Sequence, residues 1–222
     1  MNVHTLFKTV LLFLVLGLFV AESADAQRNR RGSEEQKKEV LYPDATRAEP
    51  KIKQSPRAQR DMQKVLKAHE EEKFSDVITL GESLIANKSA GAYERAVAYQ
   101  LIGIARTEQD DYLGATEAFQ KAIAEDALDN NGHYQLMLQV AQMQMQEDQF
   151  EQAIATLERM LAETRSQDPQ ILALTGSALY QLERYDEAAT YMRRAIDGSA
   201  SPSDNWSQLL LASYINQEKF TE

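Results

Sequence analysis

The chain has 222 residues, no cysteine, and 24 basic against 34 acidic residues, for a net charge of −10. Disulfides, thiolate metal sites and cysteine nucleophiles are thereby excluded together, and the fold must be stabilised by packing alone. The acidic balance disfavours nucleic acid and anionic lipid as ligands, since both need a basic face to displace counterions.

The first element is a leader. Lys8 supplies a positive charge, Val10 to Ala21 is an almost unbroken apolar run, and Ala24-Asp25-Ala26 has the small-x-small pattern of a cleavage site. This predicts a signal peptide over residues 1–26, cleaved before Gln27, and hence export. The other reading of the run is an uncleaved anchor, but a spanning helix needs roughly 20 apolar residues and the run is shorter. No stable membrane span is expected after cleavage. Residues 27–56 lack helical periodicity and contain Pro43, Pro50 and Pro56, which predicts a disordered basic linker. Residues 27–57 carry 9 basic and 5 acidic residues and residues 58–222 carry 14 and 27, so a +4 arm precedes a −13 body. Such an arm is a solvated linker or a tether to an acidic partner or membrane surface.

Downstream, an aromatic residue recurs as a ruler at Phe74, Tyr112, Phe150, Tyr185 and Phe220, spaced 38, 38, 35 and 35 residues apart. A small or branched residue follows three positions after the first four: Val77, Ala115, Ala153 and Ala188. A period in the mid-thirties with two amphipathic helices per unit predicts stacked helical hairpins. Apolar periodicity places helix pairs at about 57–71 and 74–87, 92–108 and 112–126, 132–146 and 150–164, and 169–182 and 185–197, then one helix at about 203–217. Ser55-Pro56, Asp168-Pro169 and Ser201-Pro202 read as helix starts, a polar cap followed by proline in the first turn. Nine residues before the aromatic stand Val65, Gly103, Ala141, Gly176 and Leu211. Three of these are small enough to let paired helices approach closely.

These residues resemble the tetratricopeptide repeat. In Ala96 to Asp129 the signature positions hold Tyr99, Ile102, Gly103, Tyr112, Ala115, Phe119 and Ala122, with Arg106 in place of the usual aromatic and Ala127 in place of the usual proline. Residues 169–202 carry Leu172, Gly176, Leu179, Tyr185, Ala188, Met192 and Ala195 in the same register. The resemblance implies an all-α fold, a right-handed superhelix (α-solenoid) over residues 57–222, with repeats at about 58–91, 96–129, 134–167 and 169–202 and a partial one at 204–222. The 38-residue spacings exceed the family's usual period and suggest longer turns between hairpins. Phe220 is expected to open a second helix, which would leave Leu209, Leu210 and Leu211 uncovered. That pattern suits either a piece of a longer array or a face covered by a partner or a second copy, so the last helix is also a candidate surface for oligomerisation.

In the same family the first helix of each hairpin lines a concave groove. The resemblance therefore implies a peptide-binding site at Gln100, Ile104 and Thr107, then Gln135, Leu138, Gln142 and Met145. Ala173, Ser177, Tyr180 and Gln181 follow, and then Gln208, Ala212 and Ile215. This lining is amide-rich and weakly apolar, suited to a peptide backbone, which both donates and accepts. The inward positions hold no Lys, Arg or Asn set, so clamping of a terminal carboxylate is not expected. A narrower similarity lies in Ala92-Tyr93-Glu94-Arg95-Ala96 with Arg106 and Asp111-Tyr112, and in Ser203-Asp204-Asn205-Trp206 with Leu209-Leu210-Leu211. These segments resemble periplasmic repeat proteins associated with TonB-type energy transduction. That likeness implies a periplasmic scaffold with a protein or peptide partner among TonB, ExbB and ExbD components. The alternative is a periplasmic chaperone or assembly factor for outer-membrane or secreted clients.

Catalytic signals are absent. His69 and His133 stand on separate units without metal-binding spacing, and there is no phosphate-binding glycine loop or nucleophile elbow. No enzyme activity, catalytic residue, metal site or cofactor is expected.

Overall fold

Helices fill almost all of the chain after residue 58 in the structure, a computed structural model that describes residues 39–52 and 54–220. The expected leader and the first part of the linker lie outside the described residues. From Val40 onward the chain is one compact unit. Its helices are α1 (Gln59–Glu70), α2 (Phe74–Ala86), α3 (Ala92–Glu108), α4 (Tyr112–Ala124), α5 (Asn130–Gln146), α6 (Phe150–Thr164), α7 (Pro169–Gln181), α8 (Tyr185–Gly198) and α9 (Asp204–Phe220). Successive helices pack as antiparallel pairs, each pair leans on the first helix of the next, and α1 also meets α3 and α7 meets α9. The result is an α-solenoid of stacked hairpins.

Each ruler aromatic from Phe74 to Tyr185 is the first residue of a second helix. The turn before it is built the same way four times. Glu72, Asp110, Asp148 and Glu183, two residues before the aromatic, all have φ between 55° and 62°. The next residue's N–H reaches back to the first helix, as in Asp111 to Arg106 O at 2.9 Å and Arg184 to Leu179 O at 3.0 Å. Asp110 donates to Thr107 O and Glu183 to Tyr180 O, completing a Schellman motif that satisfies the last helix carbonyls. Only after this reversal can the aromatic start a helix running back along the first.

Close approach within the hairpins follows the small residues. A Cβ on Gly103 would lie 2.4 Å from the Phe119 ring, so only glycine lets α3 and α4 meet there. Phe119, Leu84, Leu157, Met160, Leu172 and Met192 are buried along one core that runs between the hairpins.

Four expectations change. The additional residues of the 38-residue repeats sit in the helices and not in the turns: α3 and α5 have 17 residues where α7 has 13. Their added turns, 92–95 and 130–133, are at the N-terminal ends. The second half of the supposed disordered linker is also ordered against the body. Tyr42 packs edge-on against Tyr134 at 5.1 Å, and the Thr46 N–H donates to Glu163 O at 2.7 Å. Arg47 donates to Asp126 Oδ1 and Asn130 Oδ1, both at 2.6 Å, and to Leu128 O at 3.0 Å.

At the start signals, Asp168 does cap α7, accepting from the Gln170 N–H at 2.7 Å. Pro56 instead lies in a turn and Ser201 in a bend, and the helices begin at Gln59 and Asp204. Finally, α9 runs unbroken to Phe220, so that residue ends a helix and does not start one. Leu209 and Leu210 pack against the core, and of the three leucines only Leu211 is exposed.

Candidate peptide-binding groove

The site is built on the first helices from positions four, five, eight, twelve and fifteen residues before the aromatic. Ile104 on α3, Leu138 on α5 and Tyr180 on α7 are half-buried, with one side on the core clusters and the other open. Gln100, Gln135, Gln142, Ser177 and Ala212 are half-buried beside them, and Gln181, Gln208 and Ile215 are exposed. The amides of Gln100, Gln135, Gln142, Gln181 and Gln208 make no hydrogen bond to another described group. Each therefore retains both donor and acceptor for a ligand.

Two predicted site residues do not belong to the surface. Thr107 is only 7% exposed, and its hydroxyl donates to Gly103 O at 2.9 Å. Ala173 is 4% exposed in the core of α7. Position five before the aromatic is therefore not a surface position in every hairpin. Met145, at the same position on α5, is half-buried against the cluster of Ile154, Ala178, Leu179 and Ala188.

Tyr180 is held in place from two directions. Its ring meets Tyr185 edge-on at 5.3 Å, and its hydroxyl accepts from Asn216 Nδ2 at 3.1 Å. Sequence reasoning omitted Asn216, although it lies one turn beyond Ala212 and so on the same strip of α9. Ser177 is less available, because its hydroxyl donates to Ala173 O at 2.9 Å. The buried histidine, His133, lies beneath Tyr134, where burial and the Arg47 and Arg159 guanidinium groups hold its pKa down to about 4.

Among the described residues no group of three or more His, Cys, Asp or Glu side chains could hold a metal ion, and no helix is long and apolar enough to cross a membrane.

Family models of the tetratricopeptide repeat match residues 106–178 and 169–197. Over those residues, less than half of the chain, the hairpins match the tetratricopeptide repeat. The chain is also similar in fold to solved structures of such proteins. One is MamA from Desulfovibrio magneticus RS-1, with 15% identity over 75% of this chain and 88% of that one, and a TM-score of 0.54. Another is YrrB, described as a TPR protein with an unusual peptide-binding site, with 16% identity over 72% and 78% of the two chains and a TM-score of 0.57. MamA AMB-1 gives 18% identity over 73% and 83%, with a TM-score of 0.55. A search of curated proteins finds no match. At these identities the likeness concerns the fold alone, and tetratricopeptide repeats are, as a class, modules that bind protein or peptide partners.

Proposed function

We propose that the chain is an exported scaffold that binds an extended protein segment along the strip formed by α3, α5, α7 and α9. The observation that carries this reading is the row of unengaged glutamine amides over half-buried Ile104, Leu138 and Tyr180. Amides bond a peptide backbone without demanding a particular sequence, and the apolar residues between them give side-chain contact. Hairpin stacking keeps the strip rigid, which lowers the ordering cost of binding. A peptide-binding site in YrrB is in keeping with this use of the fold.

The finer reading is a periplasmic adaptor in TonB-dependent transport. It rests on the leader-like N-terminus and on the segments around Tyr93-Glu94-Arg95 and Asn205-Trp206. Exposed Leu211 and Ile215 on α9 add a route to self-association.

Crosslinking a tagged mature chain in intact cells, followed by mass spectrometry, tests both levels. Capture of TonB, ExbB or ExbD components in near-equal amounts supports the adaptor, and a spread of unfolded outer-membrane proteins would replace it with a chaperone. The double variant Gln142→Glu with Tyr180→Glu is expected to weaken capture at least about tenfold, because buried charge at a backbone-binding strip loses its hydration without a partner. Unchanged capture by a folded variant would remove the strip from the site.

A further inference from the structure

On the other side of the second hairpin, a cleft of ≈ 270 Å³ opens between α2, α3 and α4. Ile85, Tyr99 and Ile102 contribute its apolar surface, and Glu82, Arg106, Glu117 and Lys121 stand around it. That volume is at the small end for ligand sites, which start near about 300 Å³.

Two departures from the other hairpins meet here. The position of Arg106 is occupied elsewhere by Ala68, Gln144 and Leu179, all buried. Arg106 is 28% exposed, and its ion pair with Asp111 is long, at 3.8 Å. The second departure is Gly114, where the corresponding residues are Asp76, Gln152 and Glu187. A Cβ on Gly114 would lie 2.4 Å from Arg106 Nη1. That Cβ would also lie 2.2 Å from Asp111 Oδ2, so glycine here leaves room for the Arg106 guanidinium and the Asp111 cap together. Among the described residues the Glu82, Glu117 and Lys121 head groups make no hydrogen bond or ion pair.

We infer that this cleft binds a small zwitterion with an apolar body, of the class of a free apolar α-amino acid. Its carboxylate meets Arg106 and Lys121, its ammonium group meets Glu82 and Glu117, and its side chain covers Ile85, Tyr99 and Ile102. Both charges are engaged because heads of both signs flank the cleft, and the exposed Glu82, Glu117 and Lys121 discriminate by charge matching. The site is separate from the α3–α9 strip, so either can fail without the other.

The test is methyl NMR of the mature chain with L-leucine as probe. The Ile85 and Ile102 methyl signals are expected to shift with a dissociation constant of about 1 mM or tighter. Isocaproate, which lacks the ammonium group, and isoamylamine, which lacks the carboxylate, should each bind at least about tenfold more weakly. Arg106→Gln should weaken leucine about tenfold, leave isoamylamine unchanged, and keep the thermal midpoint, since the side chain is part-exposed. No methyl shift at about 10 mM leucine would overturn the proposal. So would equal affinity for all three probes, which would make the cleft an apolar notch without charge recognition.

Discussion

Four acidic residues take the left-handed conformation at the hairpin turns, which costs an ordinary residue roughly 1–2 kcal/mol. The cost is tolerated because each position completes a Schellman motif, and the repeated geometry lets it be tested in one place. Glu183→Gly should stabilise the protein by about 0.5–1 kcal/mol, after allowance for the greater unfolded-state freedom of glycine. Urea titration should show a higher midpoint with an unchanged slope.

His133 is the second residue-scale test. It has no solvent exposure, and neither ring nitrogen has a hydrogen-bond partner. Burial holds the pKa near 4, with Arg47 and Arg159 pushing the same way and Asp126 and Glu163 opposing. The unfolded chain therefore binds the proton first, and stability falls as pH drops from 6.5 towards 4. The full effect is up to about 3 kcal/mol. His133→Leu should flatten this part of the stability profile, and an equal acid loss in wild type and variant would refute the assignment.

At the scale of elements, the added turns of α3 and α5 explain why the N-terminal segment is ordered. The turn at 130–133 meets it through Asn130 and Asn131. Asn131 Oδ1 accepts from the Leu41 N–H at 3.0 Å, Asn130 Oδ1 accepts from Arg47 at 2.6 Å, and the Asn130 N–H donates to Glu49 at 3.2 Å. The turn at 92–95 supplies Glu94, buried, which accepts from the Ser55 N–H and from the Gly91 N–H at 3.0 Å. Beside it Arg95 forms a bidentate pair with Glu125, at 2.8 and 2.6 Å, that ties α3 to the end of α4. Arg47 is the main fastening of the segment, with its side chain 10% exposed. Arg47→Ala should destabilise the fold by about 1–3 kcal/mol, since charge-assisted hydrogen bonds are lost and the part-buried acceptors Asn130 Oδ1 and Leu128 O remain. Limited proteolysis should then cut between residues 40 and 52 much faster than in wild type, and unchanged cleavage would show that the segment is held elsewhere.

Across the whole molecule, stacking makes stability a matter of nearest neighbours. Helices α5 to α7 have hairpins on both sides, while α9 leaves Leu211 60% and Ile215 48% exposed. Amide protection should therefore be highest in α5 to α7 and at least about tenfold lower in α9. Uniform exchange along the chain would mean a single cooperative unit.

Helix identities, the hairpin turns ahead of the first four aromatics and the glycine contact at Gly103 were legible in the chain itself. They depend on local periodicity and on the size of one residue, both of which are written in order along the sequence. The amide-rich strip came from the resemblance to the tetratricopeptide repeat and not from spacing alone. What only the tertiary structure decided are the relations between distant parts. Arg47 carries no periodic signal for its partners some eighty residues later, and nothing local distinguishes Thr107, buried under its own hairpin, from Met145 at the equivalent position. The proline and serine signals at 55–56 and 201–202 could mark a turn or a helix start equally well, and the helices begin further on, at Gln59 and Asp204. Local geometry is encoded residue by residue, whereas burial and long-range pairing depend on how the hairpins stack, and stacking is settled only when every face has found its neighbour.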